Sequence, residues 1–346
     1  MAVLKPTRGA VTPLQFESEI LKGNPRRDPH VREVPVYLPP SYSPQPGRRY
    51  PVIYFLTGFT GKGTMLLNVN PWIETLPQRL DRLIAARKLV ECIVVMPDCF
   101  TSFGGSQYLN SIANGNYEDH LVRELVRYID RHFRTIPRPE ARAIVGKSSG
   151  GYGALVQGMR HPDVFGLVGC HSGDMYFELC YRPDFVGYLR EIQPFRNAAG
   201  FMRQFPRLPN KSHRNLFPIR NTIAMAMAYS PRKTSPPFAL PFDERTGEMR
   251  ADVWREWLKN DPVHMVDRYA RNLKKLKLLY LDAGTKDEFN LQYGARIFTG
   301  LLRKKRIPYI YEEFVDGHSN IQYRYDRSLN FISRTFVRTA GLRRYI

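Results

Sequence analysis

The chain is poor in the features that would mark a metal module, a disulfide scaffold or a membrane protein. Its 346 residues include four cysteines, Cys92, Cys99, Cys170 and Cys180, with no CxxC pair and no Cys/His ligand spacing. Zinc sites and disulfide frameworks are disfavoured on that ground, and free or core thiols are expected, with no metal. No stretch approaches the roughly 20 apolar residues of a membrane span; the longest runs, such as "CIVVM", have strand length. The opening "MAVLKPTRGAVTPLQF" has neither an apolar h-region nor a small-residue cleavage site, so a cytoplasmic protein is expected. Internal repeats and low-complexity tracts are missing. Acidic residues are scarce too, 32 against 52 Lys and Arg, for a net charge of +20. That balance admits nucleic acid, an anionic surface or an acidic substrate as partner. The basic residues are spread along the chain, with local runs at "NLKKLKLL", "RKKR" and "LRRYI", and no nucleic-acid module signature accompanies them. A solvated basic surface is expected, and a nucleic-acid partner is not.

What is present is an alternation of short apolar runs and helical patterns. Candidate strands are Val34–Leu38, Val52–Leu56, Ile93–Met96, Ala143–Val145, Leu167–Gly169, Leu276–Leu281 and Ile310–Phe314. Pro35 demotes the first to an edge strand. Most of the others are continuous apolar runs, which suits strands buried on both faces of a parallel sheet. Between them, "YEDHLVRELVRYIDRHF" carries Leu121, Val122, Leu125, Val126, Ile129 and Phe133 as a helical stripe. In "NLQYGARIFTGLLRKKR", Tyr293, Ile297 and Leu301 share one helical face. The expected architecture is one α/β domain over residues 1–346, with a mostly parallel central sheet flanked by helices. Residues 175–262, rich in Pro, Met and aromatics and without a clear strand, read as a helical or irregular insertion over the sheet edge.

"VGKSSGG" carries the chemistry. Gly146-Lys147-Ser148-Ser149-Gly150 fits G-x-S-x-G, in which a nucleophilic serine sits on a sharp strand-to-helix turn. Only Ser148 fits the frame, because Ser149 would need glycine at position 147, where lysine stands. The strand "RAIVG" precedes it and the helical "GGYGALVQ" follows. The amide after the nucleophile is the usual oxyanion donor, which gives Ser149 a backbone role.

A serine hydroxyl needs a base, most often histidine. Of the eight histidines, His120 and His132 fall in the charged helix and read as solvated. His171 ends a strand and is a weak rival. His318 follows the strand in "YEEFVDGHSN", in a loop of the kind that lines ligand sites at the carboxyl ends of parallel strands. For the carboxylate that orients it, "LDAGTKDEF" offers Asp287, in the loop before the next helix, with Glu288 and the more distant Asp174 as alternatives; Asp282 reads as a structural hydrogen-bonding group. The order Ser148, Asp287, His318 is that of α/β-hydrolases. A second oxyanion donor is expected from the loop after Val52–Leu56, in "LTGFTGKGT", at the Phe59 amide next to Gly58. A phosphate loop is ruled out there, because Thr64 stands where G-x-x-x-x-G-K requires lysine.

With these residues in place, the chain resembles the putative-esterase family of α/β-hydrolases, which includes S-formylglutathione hydrolase (esterase D), feruloyl and acetylxylan esterases, enterochelin esterases and the antigen 85 mycolyltransferases. The likeness runs from about Phe16 to Ile332 through "VPVYLPPSYSP", "RRYPVIYFLTGFTG", "VVMPDCF", "GKSSGGYGAL", "LDAGTKDEF" and "DGHSN". It implies hydrolysis through an acyl-serine, without metal or cofactor, on a small-molecule ester. It leaves the substrate and the oligomeric state open. The extra length in 175–262 argues against a glutathione thioester and implies a cap that shapes the pocket, with Gly58, Lys147, Trp254 and Trp257 as candidate pocket residues. The expected activity is a serine carboxylesterase for small or short-chain acyl esters. A feruloyl or siderophore-type esterase and an acyltransferase are the related alternatives. A non-catalytic binding protein on the same fold is the alternative of a different class.

Overall fold

The computed structural model describes residues 8–43, 45–339 and 341; the basic run at 342–346 lies outside them. Eight strands form the central sheet: β1 (Ala10–Glu17), β2 (Val31–Leu38), β3 (Val52–Leu56), β4 (Ile93–Val95), β5 (Arg142–Lys147), β6 (Leu167–His171), β7 (Leu278–Gly284) and β8 (Ile310–Phe314). Their order is β1-β2-β4-β3-β5-β6-β7-β8. β1 and β2 run antiparallel to their neighbours, and the strands from β4 through β8 are parallel.

The continuous apolar runs are explained by two cores. In β3, Val52, Tyr54 and Leu56 enter one buried cluster while Ile53 and Phe55 enter the other. Helices α1 (Leu76–Ala85) and α7 (Tyr325–Thr339) cover the second face through Leu76, Leu80 and Leu83 and through Leu329, Ile332 and Phe336. A capping box starts α1: the Thr75 hydroxyl accepts from Gln78 N–H, and the Gln78 side chain accepts from Thr75 N–H. The other face is covered by α2 (Tyr117–Asp119, His120–Leu125 and Val126–His132, its middle turn π-helical) and by α3 (Ser149–Arg160).

Two expectations need correction here. Pro35 does not make β2 an edge. That place is taken by β1, a strand with a mostly exposed burial pattern and a proline of its own. Pro13 and Pro35 face each other in register, and the Pro35 carbonyl accepts from Met96 N–H just past the end of β4. The missing donor therefore falls where the partner strand has already stopped. His120 is not solvated: it is fully buried, with Nδ1 2.9 Å from Ser18 Oγ and its ring against Phe16, because the end of β1 covers that side of α2. In α6 (Leu291–Lys304), Tyr293 and Ile297 lie on one exposed face, and Leu291, Ala295, Phe298 and Leu302 form the packed face.

Between β6 and β7 the chain runs through helices Phe177–Cys180, Arg182–Glu191, Ala198–Gln204, α4 (Phe217–Tyr229), Ala251–Leu258 and α5 (Pro262–Leu273). Among the described residues of 175–262 there is no strand, only the isolated bridges Pro231–Phe238 and Phe242–Met249. Phe185, Phe242 and Trp257 of this segment belong to the same buried cluster as Tyr54 and Leu155 of β3 and α3.

Candidate active site

The turn from β5 into α3 is built by crowding. A Cβ on Gly146 would lie 2.3 Å from the Gly150 carbonyl oxygen, and one on Gly150 would lie 2.6 Å from the carbonyl oxygens of Leu56 and Thr57. Neither position has room for a side chain. Between them Ser148 takes φ 59°, ψ −130°, a conformation costly for any residue but glycine. The main chain holds it there: Ser148 N–H donates to the His171 carbonyl at the end of β6. The strain lifts the hydroxyl away from the sheet and leaves it at the N-terminus of α3.

His318 and Asp287 meet that hydroxyl. His318 Nε2 lies 3.0 Å from Ser148 Oγ, and His318 Nδ1 lies 2.8 Å from Asp287 Oδ2. An ionised carboxylate can only accept, so Nδ1 carries the proton and Nε2 is left to accept from the serine. Asp287 is buried, and its other oxygen accepts from Phe289 N–H at 2.9 Å. Glu288 touches a different part of the same residue: its Oε2 accepts from the His318 backbone N–H at 2.7 Å. Phe289 sets its ring edge-on to the imidazole.

Gly58 lies against the serine; a Cβ there would be 3.4 Å from Ser148 Cβ. The Phe59 and Ser149 N–H groups donate to no group among the described residues, and both residues line the cavity that holds Ser148. That cavity has a volume of about 380 Å³. Cys180, Tyr181, Phe217 and Asn221, all from the 175–262 segment, form part of its wall. Lys147 forms another part; burial pushes its ammonium pKa down, against the opposing charges of Asp287 and Glu288.

Asp174 is close to the serine but does not contact the histidine through a hydrogen bond. It is buried, and its Oδ2 accepts from Ser149 Oγ at 2.9 Å, Tyr181 Oη at 2.8 Å and Gln107 Nε2 at 3.3 Å. Burial raises its carboxyl pKa above the ordinary value despite these donors. Asp282 forms a second, separate relay, with His171 Nδ1 2.9 Å from its Oδ1 and His171 Nε2 2.8 Å from Ser328 Oγ. All three of those residues are buried.

Trp254 and Trp257 do not line the cavity. Trp257 is fully buried, donates from Nε1 to Ser230 Oγ at 2.8 Å and packs on Phe185, Tyr181 and Tyr229; Trp254 packs on Phe185 and Trp257. Their helix turns its aromatic face into the core. α4 reaches the cavity through Phe217 and Asn221, near its start, while its Ile223–Tyr229 stretch is core. Glu178, Asp261 and His264 stand within ligand distance of one another. The Asp261 carboxylate is already taken by the N–H groups of Tyr176, Phe177 and Val263, so capping of two helix starts accounts for it. Among the described residues, no helix is long and apolar enough to cross a membrane.

A serine on a strained strand-to-helix turn, in an eight-stranded and mostly parallel sheet with its histidine and acid following in chain order, defines the α/β-hydrolase fold. The chain belongs to the esterase family described as "Putative esterase", whose profile matches residues 29–331. Among curated proteins it is 27% identical over 158 residues to YbbA of Bacillus subtilis, covering 42% of this chain and 58% of that one. It is 33% identical over 146 residues to esterase Rv1288 of Mycobacterium tuberculosis, covering 40% of this chain and 28% of that one. The matches thus span only part of these relatives. Solved structures share the fold along nearly the whole chain. A ferulic acid esterase superposes with a TM-score of 0.63 at 20% identity, covering 95% of this chain and 100% of that one. The S-formylglutathione hydrolase of Agrobacterium tumefaciens superposes with a TM-score of 0.57 at 18% identity, covering 96% and 97%.

Proposed function

We propose that the protein is a serine carboxylesterase acting on small or short-chain acyl esters. Ser148 attacks the ester carbonyl while His318 Nε2 takes its proton. His318 then protonates the departing alcohol, leaving an acyl-serine. A water, activated by the same nitrogen, releases the acid and restores the serine. Asp287 holds the imidazole in the tautomer that accepts at Nε2 and stabilises the imidazolium formed in each half-reaction. The Phe59 and Ser149 N–H groups stabilise the tetrahedral oxyanion, a contribution of about 2.7–4 kcal/mol for each donor of this kind.

The observation that carries this reading is the continuous Ser148–His318–Asp287 relay, at 3.0 and 2.8 Å, seated on the strained turn. The family membership supports ester hydrolysis as the chemistry. The cavity volume, about 380 Å³, supports a compact substrate. The four wall residues from 175–262 support a cap that shapes the pocket. Ser148→Ala should abolish hydrolysis of p-nitrophenyl acetate while its circular dichroism spectrum and melting temperature stay close to the parent's. Turnover retained in that variant would overturn the assignment.

A further inference from the structure

Lys147 stands in the variable position of the serine turn, within the field of Asp287 and Glu288 but paired with neither. Its ammonium makes no hydrogen bond or ion pair among the described residues. The nearby carboxylates are engaged elsewhere, Asp287 with His318 and Phe289 N–H and Glu288 with His318 N–H. Burying a charge without a partner is costly, and the lowered pKa of this ammonium reflects that cost. A chain with 52 basic residues could place a lysine anywhere on its surface. This one is half-buried in the cavity wall, adjacent in sequence to the nucleophile.

The two sides of the cavity differ in chemistry. On the side of the 175–262 segment the wall is largely aromatic and apolar, through Tyr181, Phe217 and Cys180, and its charged group is the buried Asp174 carboxylate, which would repel an anion. Lys147 is paired in register with His171, whose ring bonds Ser328 of α7, so its side is the face of the sheet that α7 covers. There the wall includes Leu66, Met65, Gln322 and Tyr325, and the same four residues also line a neighbouring cavity of about 240 Å³. That second cavity is lined by Asn68, Asn70 and Asn320 and by the ion-paired Arg79 and Glu74. The Gln322 amide makes no hydrogen bond among the described residues, and its Oε1 is buried without a donor. An ammonium without a hydrogen-bonded partner, in the wall of the serine cavity and next to the nucleophile, is suited to an anionic oxygen group.

We propose that the ester arm lying on the Lys147 side carries a carboxylate, and that Lys147 is the residue that selects it. A single ammonium matches one negative charge better than the double charge of a phosphate. The inference rests on the esterase reading and narrows its substrate to esters of which one arm, acid or alcohol, ends in a carboxylate. The rest of the substrate occupies the aromatic side.

Two matched substrate pairs test it. 4-Acetoxybenzoate against its methyl ester places the charge on the alcohol arm; mono-4-nitrophenyl succinate against its methyl ester places it on the acyl arm. The readout is the quotient of kcat/KM for the charged and neutral members, in which any loss common to both cancels. One of the two quotients should exceed unity in the parent protein and fall about tenfold or more in Lys147→Met, the size expected for one charge-assisted hydrogen bond. Lys147→Arg, which keeps the charge, should retain most of the preference. Quotients that Lys147→Met leaves unchanged in both pairs would overturn the inference, as would a parent protein that disfavours the charged member of each. Those results would leave the esterase reading standing as long as the neutral esters are hydrolysed and Ser148→Ala is inert. A parent protein inactive on all four esters would defeat both.

Discussion

The backbone N–H of His318 donates to Glu288 Oε2 at 2.7 Å, while the imidazole of the same residue is held by Asp287, one position earlier in the chain. Adjacent carboxylates thus grip one histidine by its main chain and by its ring. Glu288→Ala should therefore release the 316–320 loop and lower kcat with little change in KM. The loss expected is about 10- to 100-fold, as for other small displacements of a catalytic group. Glu288→Gln keeps an acceptor and should recover most of the rate. Steady-state kinetics on one neutral ester decides the point; equal loss in both variants would show that the charge, and not the grip, matters.

Two glycines of the site should respond differently to alanine. At Gly150 the added Cβ meets the backbone oxygens of Leu56 and Thr57 at 2.6 Å, and backbone cannot step aside. Gly150→Ala should cost about 2–4 kcal/mol of stability or more, in the range of severe strain and overpacking. At Gly58 the nearest atoms are Ser148 Cβ at 3.4 Å and Ser148 Oγ at 3.9 Å, ordinary contacts that leave the fold intact. Gly58→Ala should melt like the parent yet crowd the space where the substrate carbonyl must sit, lowering kcat/KM by about tenfold. Thermal melts and kinetics of the two variants should therefore separate; a destabilised Gly58→Ala or a stable Gly150→Ala would contradict this.

Asp184 gives a stability effect with a defined pH window. Burial pushes its carboxyl pKa up to about 6, against the hydrogen bond from Asn221 Nδ2 at 2.7 Å, with the Asp174 charge adding to the rise. The folded chain therefore keeps a proton that the unfolded chain, with an ordinary carboxylate near pH 4, gives up earlier. This contribution favours the folded state below about pH 4 and declines as pH rises towards about 6, after which the penalty is complete. Asp184→Asn removes it. The variant should be more stable than the parent near neutral pH, by on the order of 1–3 kcal/mol, with the advantage vanishing near pH 4. Chemical denaturation at the two pH values measures the difference; a variant that loses stability at neutral pH would contradict the buried-carboxylate account.

The meeting of Ser148, His318 and Asp287 is legible in the sequence because each signal is local. Glycine spacing selects the serine, and strand ends mark the loops that carry the other two. Asp174 is harder to place, since its donors Gln107, Tyr181 and Ser149 come from separate parts of the chain and nothing local ties them together. Trp254 and Trp257 show the limit of periodicity. A helical aromatic stripe looks the same whether it faces a ligand cavity or a core, and here Phe185, Tyr181 and Tyr229 claim it. β1 escapes notice for the opposite reason: with its residues largely exposed it buries too little to leave an apolar pattern. The placement of His120 depends on that strand covering it, a tertiary contact that helix charge patterning cannot anticipate.

Among the described residues there are two Ser–His–Asp relays, and the one at Ser148 reaches a cavity. Ser328, His171 and Asp282 are sealed in the core, whereas Ser148 opens onto the cavity of about 380 Å³. Treatment with a fluorophosphonate, followed by intact-protein and peptide mass spectrometry, compares them directly. The account predicts a single adduct, mapped to Ser148, absent from Ser148→Ala and strongly slowed in His318→Ala. An adduct on Ser328, an adduct that survives Ser148→Ala, or no adduct on the native protein would contradict it.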